Sequence, residues 1–256
     1  MLYALVNNVK TIATKNSEGN CPLCGGIVFS KCGEINIHHW AHKPKENCDK
    51  WAKNETEWHK SWKEIFGKDQ SEVVMIKENK RHIADVLTVT GVVIEFQNSN
   101  INSDEIEERN KFYGEKMLWV INLAEVDQRN FITYFVNDSD RQINTYVGRC
   151  VFFYYEEYGK RWDAHNDKTI KFEWKYYRRT WSYVKKNLFF DFGNDYLFWV
   201  KNWESDGKGS GKWIHKRNFV EKYGGDTSLL RLNENNIAQH TGIQAELFPK
   251  AEKVML

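Results

Sequence analysis

The hydrophobic pattern is most regular between residues 51 and 127, where it predicts two helices and four strands. From Trp51 to Phe66, bulky apolar residues recur at spacings of three and four, which is typical of an amphipathic helix. A second helix is predicted from Ser103, a favourable N-cap residue, to about Glu115. Apolar runs bounded by turn residues predict strands at about 72–77, 81–89, 92–97 and 117–121.

The predicted order is one helix, three strands, a second helix and a last strand. A passage from strand through helix to strand is the usual mark of a parallel crossover, because the helix must return across the sheet. Helices and strands that alternate in this way predict a mixed α/β (α+β) protein.

The regions on either side of this central part have a different character. Residues 1–50 are rich in Cys, His and Gly, and two short strands are predicted there at 27–29 and 35–37. Residues 128–256 are rich in aromatic residues and have a weaker pattern. We therefore divide the chain into three regions, 1–50, 51–127 and 128–256. In the last region, a helix is predicted over Lys216–Tyr223, a flexible loop over Asp206–Gly211, and strands at 131–136, 146–155, 189–192 and 196–200.

Composition and charge narrow the classes of function. The chain has 256 residues, of which 15% are aromatic and only 3 are proline, and this favours an ordered globule. Its formal net charge of +2 provides no strong overall attraction for nucleic acid, although a local basic surface can still bind it. No apolar run approaches the length of a membrane span, and the N-terminus lacks the pattern of a signal peptide. We therefore expect a cytoplasmic protein without a membrane partner, in which cysteines serve as thiolates or metal ligands before disulfides.

Two pairs of metal-ligating residues stand in the first region. Cys21 and Cys24 form a C-x2-C knuckle followed by glycines, and His39 and His42 form an H-x2-H pair downstream. Zinc prefers four sulfur or nitrogen ligands in a tetrahedron, and a complete set of four leaves no open position for catalysis. We therefore predict a structural zinc ion, against the alternative of buried cysteines and surface histidines without a metal. Three other residues could supply the fourth ligand: Cys32, His38 and Cys48.

The central region carries two acids and an amide on apolar strands. Asp85 lies within the strand predicted at 81–89, and Glu95 and Gln97 end the next strand on one shared face because side chains alternate with period two. Buried acids cost free energy unless they bind a cation or a hydrogen-bond donor. Asp85 and Glu95 are therefore predicted to hold Mg²⁺ or Mn²⁺, a site that suits hydrolysis of phosphodiesters.

Two further residues complete this hypothesis. Glu57, on the preceding helix, could add a third acid, and Gln97 could orient the attacking water without supplying positive charge. The alternative is structural: Asp85 pairs with Arg81 or His82, and the second acid faces solvent at its strand end.

In their order along the chain, these motifs resemble the competence protein CoiA-like family. Members of this family look like nucleases of the PD-(D/E)xK superfamily that are preceded by a zinc-finger-like module. The resemblance covers about residues 1–125. It rests on the C-x2-C knuckle, His39-Trp-Ala-His42, Glu57-Trp-His59, Ala84-Asp85-Val and Ile94-Glu95-Phe-Gln97-Asn-Ser99.

The resemblance implies a restriction-endonuclease-like αβββαβ core and divalent-metal-dependent cleavage of DNA, with foreign or incoming DNA as the candidate substrate. Carried over residue by residue, it makes Asp85 and Glu95 metal ligands and Glu57 the helical acid. Gln97 stands where the superfamily has a lysine, a departure that agrees with what we expect of this family.

Three arginines are candidates for contact with DNA. Arg109 lies on the second predicted helix, where its forked donors suit a phosphate. The alternative for this residue is a salt bridge with Glu105 or Glu108. Arg178 and Arg179 belong to a segment that interleaves basic and aromatic residues, as surfaces that bind single strands do. The alternative for that segment is an aromatic core strand with a charged outer face.

The sequence as a whole predicts a metal-dependent DNA endonuclease. Two other functions fit the same residues. The chain could be a catalytically weak DNA-binding or processing protein, in which Gln97 reflects lost turnover. It could also be an interaction module whose zinc knuckle and Trp-rich tail hold a protein partner, and a homodimer is compatible with each of these functions.

Overall fold

The computed structural model of the chain describes residues 1–33, 37–43, 48–52, 55–125, 131–136, 142–146, 154–155, 160–161, 170–204 and 206–231. These residues form a mixed α/β structure with three α-helices, a five-stranded sheet, a ten-stranded sheet and a two-stranded ribbon. The predicted fold class is therefore confirmed. Within this described part, no helix combines the length and the apolar character that crossing a membrane requires.

The five-stranded sheet belongs to the Cys/His-rich region. Its strands are β1 (Tyr3–Val6), β2 (Val9–Ile12), β3 (Glu18–Asn20), β4 (Ile27–Lys31) and β5 (His39–His42). They pair antiparallel in the order β2-β1-β3-β4-β5. The strand predicted at 27–29 is confirmed as part of β4, whereas residues 34–36, which include most of the second predicted strand, lie outside the described residues.

The central region contains the predicted elements in the predicted order. They are α1 (Glu57–Gln70), β6 (Ser71–Lys77), β7 (Lys80–Leu87), β8 (Val93–Gln97), α2 (Ser103–Tyr113) and β9 (Met117–Asn122). Strands β6, β7 and β8 are antiparallel neighbours, and α2 connects β8 to the parallel strand β9. Both the αβββαβ order and its parallel crossover are therefore confirmed.

Two helix starts differ from the prediction. Helix α1 begins at Glu57 rather than at Trp51. Helix α2 is capped by Asn102 rather than by Ser103, since the Asn102 side chain accepts a hydrogen bond from Glu105 N at 2.7 Å. Hydrophobic periodicity does not reveal which of two neighbouring cap residues makes this bond.

The strands after residue 128 continue the sheet of the central region. They are β10 (Phe131–Val136), β11 (Gln142–Tyr146), β12 (Tyr154–Tyr155), β13 (Lys160–Arg161), β14 (Ile170–Trp174), β15 (Asn187–Asp191), β16 (Tyr196–Trp203) and β17 (Lys208–His215), followed by α3 (Lys216–Tyr223). The order in the large sheet is β11-β10-β14-β17-β16-β15-β9-β8-β7-β6. Because β15 pairs in parallel with β9, the sheet crosses the boundary that we expected near residue 127.

Most of the elements predicted in this last region are present. The strands predicted at 131–136, 189–192 and 196–200 correspond to β10, β15 and β16, and α3 has its predicted bounds. The strand predicted at 146–155 overlaps the ends of β11 and β12, and residues 147–153 lie outside the described residues.

The flexible loop predicted over Asp206–Gly211 is wrong, because β17 begins at Lys208. Its glycines serve close packing rather than flexibility. A Cβ atom at Gly209 would lie 2.3 Å from Asn202 O and 2.7 Å from the Phe172 ring, so only glycine lets these strands approach.

At strand β9, the large sheet is covered on both faces. Along β9, Leu118 and Val120 pack in the core that α1 and α3 cover, whereas Trp119 and Ile121 pack in the core that α2 covers. All four side chains are buried, which explains why this strand is a continuous apolar run in the sequence.

Candidate functional site

A cavity of about 740 Å³ lies between the N-terminal sheet and strands β7 and β8. Cys21, His42 and Cys48 line its N-terminal side, and Asp85 and Glu95 line its opposite side. The two candidate sites, which the sequence analysis treated separately, therefore border one space.

The two acids converge on neighbouring strands. Asp85 N donates to Glu95 Oε1 at 3.2 Å, and Phe96 N donates to Asp85 Oδ2 at 3.0 Å. Each carboxylate is thus bonded to the backbone beside the other acid. The Glu95 side chain is 2% exposed, whereas that of Asp85 is 21% exposed and reaches the cavity.

Burial and like charge both act on this pair. Burial raises the pKa of Glu95 to about 7, and repulsion from Asp85 acts in the same direction. The guanidinium of Arg109 opposes both effects without cancelling them. Two carboxylates in this environment favour a bound cation, because the cation relieves their repulsion.

Lys63, on α1, is the basic partner of Asp85. Its Nζ lies 3.2 Å from Asp85 Oδ1, 3.0 Å from Glu55 Oε2 and 2.9 Å from Glu72 Oε1. These carboxylates raise the pKa of Lys63 well above its ordinary value, although burial acts against them. Lys63 is therefore a permanent positive charge within the acid cluster.

The structural alternative, in which Asp85 pairs with Arg81 or His82 and Glu95 faces solvent, does not agree with these contacts. His82, which was one of the expected partners, bonds to Asp49 through Nδ1 at 2.9 Å. The second acid, Glu95, is buried rather than facing solvent. The convergence of Asp85 and Glu95 is what the metal hypothesis requires.

Carboxylates outnumber basic side chains in the ion pairs of this cluster within the described part of the chain. These ion pairs join five carboxylates to the two basic groups of Lys63 and Arg109. Such an excess is costly at low exposure unless cations or protons compensate it. The five acids are Glu55, Glu72, Asp85, Glu95 and Glu105.

Gln97 and His59 also line the cavity. Gln97 Nε2 donates to Ser99 O at 2.9 Å, which leaves the amide oxygen as the acceptor for another group. His59 Nε2 donates to Phe96 O at 3.1 Å, and burial lowers the pKa of His59, so its imidazole is neutral at pH 7.

Arg109 forms the salt bridge with Glu105 that we gave as the alternative to a phosphate contact. Its Nη1 also donates to Glu95 Oε2 at 2.6 Å, and its Nη2 donates to Trp51 O at 3.0 Å. The side chain is buried beside the acid pair, so in this arrangement it orients Glu95.

Glu57 does not reach the acid pair. It is exposed in the first turn of α1, where an acid stabilises the positive end of the helix dipole. Thr56 caps the helix by accepting a hydrogen bond from His59 N. Glu55, which precedes this cap, pairs with Lys63 and lines the cavity. The additional acid near the pair is therefore Glu55, and the prediction of Glu57 for this place is wrong.

The Cys/His cluster consists of Cys21, Cys24, His42 and Cys48, whose ligand atoms all lie within 4.8 Å of one another. Cys21 Sγ lies 3.6 Å from Cys48 Sγ, and His42 Nε2 lies 3.2 Å from Cys48 Sγ and 3.9 Å from Cys24 Sγ. A zinc tetrahedron with arms of about 2.0–2.3 Å has edges of roughly 3.5–3.8 Å. The cluster can therefore hold a metal ion such as zinc.

The thiols of this cluster are already arranged as metal ligands. Leu23 N donates to Cys21 Sγ at 3.4 Å, and Gly26 N donates to Cys24 Sγ at 3.3 Å, contacts that favour thiolates. Burial and the neighbouring Cys21 raise the pKa of Cys48 well above its ordinary value. A cation at the centre would offset this cost of deprotonation.

His39 does not belong to the cluster, and Cys48 takes its place. Residues three apart on a strand point to opposite faces, so His39 and His42 of β5 cannot converge on one ion. His39 instead contacts Ile37 O through Nδ1 at 2.7 Å. Among the three rivals that the sequence left open, Cys48 is the fourth member, and Cys32 and His38 are not in the cluster.

Arg178 and Arg179 lie outside the cavity lining and are exposed at the start of a 3₁₀ helix, Arg179–Tyr183. The strand before them, β14, has the character of an aromatic core strand, since Phe172 and Trp174 are buried. The basic and aromatic segment is thus part core and part surface.

Several residues of the site were missed by the sequence analysis: Asp49, Trp51, Glu55, Lys63 and Glu72. Lys63 left a signal, because it lies four positions after His59 on the face of α1 that is buried. The others left none. Asp49, Trp51 and Glu72 have partners distant in the chain, and the periodicity over 51–66 placed Glu55 within the predicted helix rather than before its cap.

Two family models match the chain. The Competence protein CoiA, N-terminal domain, matches residues 6–50, and the Competence protein CoiA, nuclease-like domain, matches residues 58–188, which is more than half of the chain. The second match extends beyond the part on which the resemblance was recognised and reaches β15. No curated protein and no solved structure matches the chain.

Proposed function

Since this chain belongs to the competence protein CoiA family, we propose that it is a divalent-metal-dependent deoxyribonuclease that cuts DNA internally. The observation that carries the proposal is the convergence of Asp85 and Glu95 in a cavity where, among the described residues, carboxylates outnumber Lys and Arg side chains. Foreign or incoming DNA is the proposed substrate.

The donor set of the acid pair fits Mg²⁺ or Mn²⁺, which prefer carboxylate oxygens and keep several waters. Asp85 and Glu95 are the residues that would hold this ion. When bound, such an ion neutralises phosphate charge and lowers the pKa of a bound water.

Other side chains of the cavity have complementary roles. Gln97 orients the attacking water through its amide oxygen, because its nitrogen is engaged by Ser99. Lys63 supplies the positive charge that Gln97 lacks, from a position 3.2 Å from Asp85. Arg109 orients Glu95, and Glu55 assists through its contact with Lys63.

The Cys3His cluster holds a structural zinc ion in this proposal. Three thiols and an imidazole are the ligands that zinc prefers, and four ligands leave no position for substrate. DNA is bound by exposed basic groups, with Arg178 and Arg179 as the proposed contacts outside the cavity.

The proposal is tested by incubating the purified protein with Mg²⁺ or Mn²⁺ and with plasmid, linear and single-stranded DNA. The wild-type protein should cleave, and Asp85→Asn and Glu95→Gln should each lower the rate at least about 100-fold, since each removes a charge that the metal needs. Glu57→Gln, which removes an exposed acid from the same helix as Lys63, is the matched control and should retain full activity. Cleavage by Asp85→Asn at the wild-type rate would contradict the proposal.

A second candidate function is a DNA-binding protein with little or no turnover. One observation favours it: both carboxylates of the acid pair already have basic partners, Lys63 and Arg109, and Gln97 supplies no charge. In that case DNA binding persists without cleavage, and Asp85→Asn changes neither.

A further inference from the structure

We propose that residues Cys48–Trp51, which we name the 48–51 segment, couple the Cys/His cluster to the acid pair. Asp49 and Trp51 act as positioning residues, the first for Asp85 and the second for Glu95. The coupling itself is a property of the fold, and its consequence for catalysis rests on the proposed function.

Asp49 connects the cluster to strand β7. It directly follows Cys48, and its buried carboxylate accepts hydrogen bonds from Ile83 N at 2.9 Å and from His82 Nδ1 at 2.9 Å. Ile83 lies two residues before Asp85 on the same strand. The backbone that presents Asp85 is therefore held by a carboxylate one residue away from a metal-ligand candidate.

Trp51 connects the same segment to Glu95. Its carbonyl accepts a hydrogen bond from Arg109 Nη2 at 3.0 Å, and its ring centroid lies 5.2 Å from the guanidinium carbon. Arg109 Nη1 in turn donates to Glu95 Oε2 at 2.6 Å. A planar guanidinium that is held on both edges has one orientation, so Trp51, together with Glu105 on the same nitrogen, determines how Arg109 meets Glu95.

The two branches form one unit. Trp51 N donates to Asp49 Oδ1 at 3.0 Å, and the indole of Trp51 stacks on the imidazole of His82 with centroids 3.4 Å apart and an interplanar angle of 15°. Trp51, Asp49 and His82 are all buried, so a bond that is lost here is poorly replaced by water. A displacement of Cys48 should therefore change the positions of both Asp85 and Glu95.

The cluster determines where this unit sits. Cys48 Sγ is held between His42 Nε2 at 3.2 Å and Cys21 Sγ at 3.6 Å. A metal ion that joins these atoms fixes Cys48, and its removal releases the first residue of the 48–51 segment. Because coupling between two binding sites is reciprocal, a metal at the cluster and a divalent cation at the acid pair should strengthen each other's binding.

The first test measures hydrogen–deuterium exchange in the full chain, with zinc bound and after removal by a chelator. Zinc removal should increase exchange in peptides that cover Arg81–Gln97 at least about 10-fold, because Ile83 and Phe96 amides donate to Asp49 and Asp85. Peptides of β15 and β16, which lie beyond β9, should be unchanged and report that the sheet is intact. Unchanged exchange over Arg81–Gln97 would overturn the inference.

The second test measures Mn²⁺ affinity without DNA in wild type, Asp49→Asn, Trp51→Phe and Lys50→Ala. Lys50 is the matched control, since it lies within the segment and hydrogen-bonds to the exposed Glu108. Its other contact among the described residues is a weak cation–π approach, 5.8 Å from the Trp51 ring centroid. Asp49→Asn should weaken Mn²⁺ binding about 10-fold while retaining its zinc, a factor typical of groups that orient metal ligands. Its melting temperature should fall as well, because the amide cannot accept all three hydrogen bonds of the buried carboxylate. Trp51→Phe should weaken binding less because it retains the backbone carbonyl, and Lys50→Ala should not change it.

Non-additivity distinguishes coupling from simple destabilisation. Zinc removal should weaken Mn²⁺ binding in wild type but add little in Asp49→Asn, because the variant has already lost the connection. Additive losses would overturn the inference. The outcomes separate the two proposals: zinc-dependent exchange in a protein that binds no Mn²⁺ would reject the nuclease proposal alone, whereas cleavage with zinc-independent exchange would reject the coupling alone.

Discussion

The buried carboxylate of Glu72 connects the N-terminal region to the central region. Its carboxylate accepts hydrogen bonds from Leu2 N at 2.7 Å and Tyr3 N at 2.8 Å, and it pairs with Lys63 on α1. Burial alone would raise the pKa of Glu72, but the Lys63 ammonium and these amides lower it to about 2. The Glu72 carboxyl therefore binds its proton less tightly in the folded state than in the unfolded chain.

We expect Glu72→Gln to lower the free energy of unfolding at pH 7 by on the order of 3 kcal/mol. Since the folded pKa is depressed, the stabilisation is present above the ordinary carboxyl pKa of 4.5 and is lost as the pH falls toward 2. Urea unfolding at a series of pH values measures this effect. The difference between wild type and variant should shrink across that window.

Glu64→Gln is the control for this prediction, because Glu64 lies beside Lys63 on α1 but has an exposed side chain. It should change the free energy of unfolding by less than about 0.5 kcal/mol at any pH. A cost of Glu72→Gln that stayed constant from pH 7 to pH 2.5 would show that hydrogen bonding, not charge, is the origin of the effect.

At the scale of elements, the period of a strand decides which residues can share a metal. His42 joins the cluster from β5, while His39 points to the other face of the same strand. Cys48 lies after the strand, so the alternation of strand side chains does not restrict the direction of its thiol. The H-x2-H spacing is typical of ligand pairs on helices and loops, and it loses that meaning once the pair lies on a strand.

This reassignment makes a direct prediction about metal content. Cys48→Ser should weaken zinc binding by about 100-fold or more, because it removes a thiolate ligand. His39→Asn should leave zinc binding unchanged, since His39 contacts Ile37 O outside the cluster. Elemental analysis after dialysis against a zinc chelator compares the two variants, and loss of zinc from His39→Asn alone would restore the first assignment.

The start of α1 illustrates the same limit of local patterns. Periodicity extends the helix back to Trp51, but Thr56, which has extended backbone angles, caps the helix at Glu57. Outside the helix, Trp51 contacts Arg109 and Glu55 pairs with Lys63. Residues that look like an additional helical turn thus build one wall of the cavity.

At the scale of the whole molecule, the near balance of charge limits how DNA can be held. A formal net charge of +2 and a cluster rich in carboxylates give no long-range attraction, so binding depends on local basic surfaces. Arg178 and Arg179 are exposed at one such surface. In the proposal, this surface binds the DNA whose scissile phosphate lies in the cavity.

We expect Arg178→Ala with Arg179→Ala to reduce the slope of log affinity against log salt by about 1 to 2, as the loss of one or two phosphate contacts requires. DNA affinity measured over a range of salt concentrations gives this slope. Arg217→Ala with Arg231→Ala removes the same charge from other exposed positions and should leave the slope unchanged. Equal slopes in both double variants would assign Arg178 and Arg179 to a solvated surface without a DNA contact.

The sequence by itself determined the central fold, the knuckle and the acid pair. Alternation and apolar runs predicted the αβββαβ order, because each element reflects contacts between residues close in the chain. Asp85 and Glu95 converge because their strands are joined by a short turn, so a local hairpin brings the two acids together. The same locality made Cys21 and Cys24 recognisable as a knuckle.

Only the tertiary structure decided which charges surround the acids and which residue completes the cluster. Asp49 meets Ile83 across 34 positions of the chain, and Trp51 meets Arg109 across 58. Such contacts depend on how separate elements pack, and no spacing in the sequence records them. The extension of the sheet from β9 to β15 was equally hidden, since a strand buried on both faces has the same apolar pattern whichever strand pairs with it.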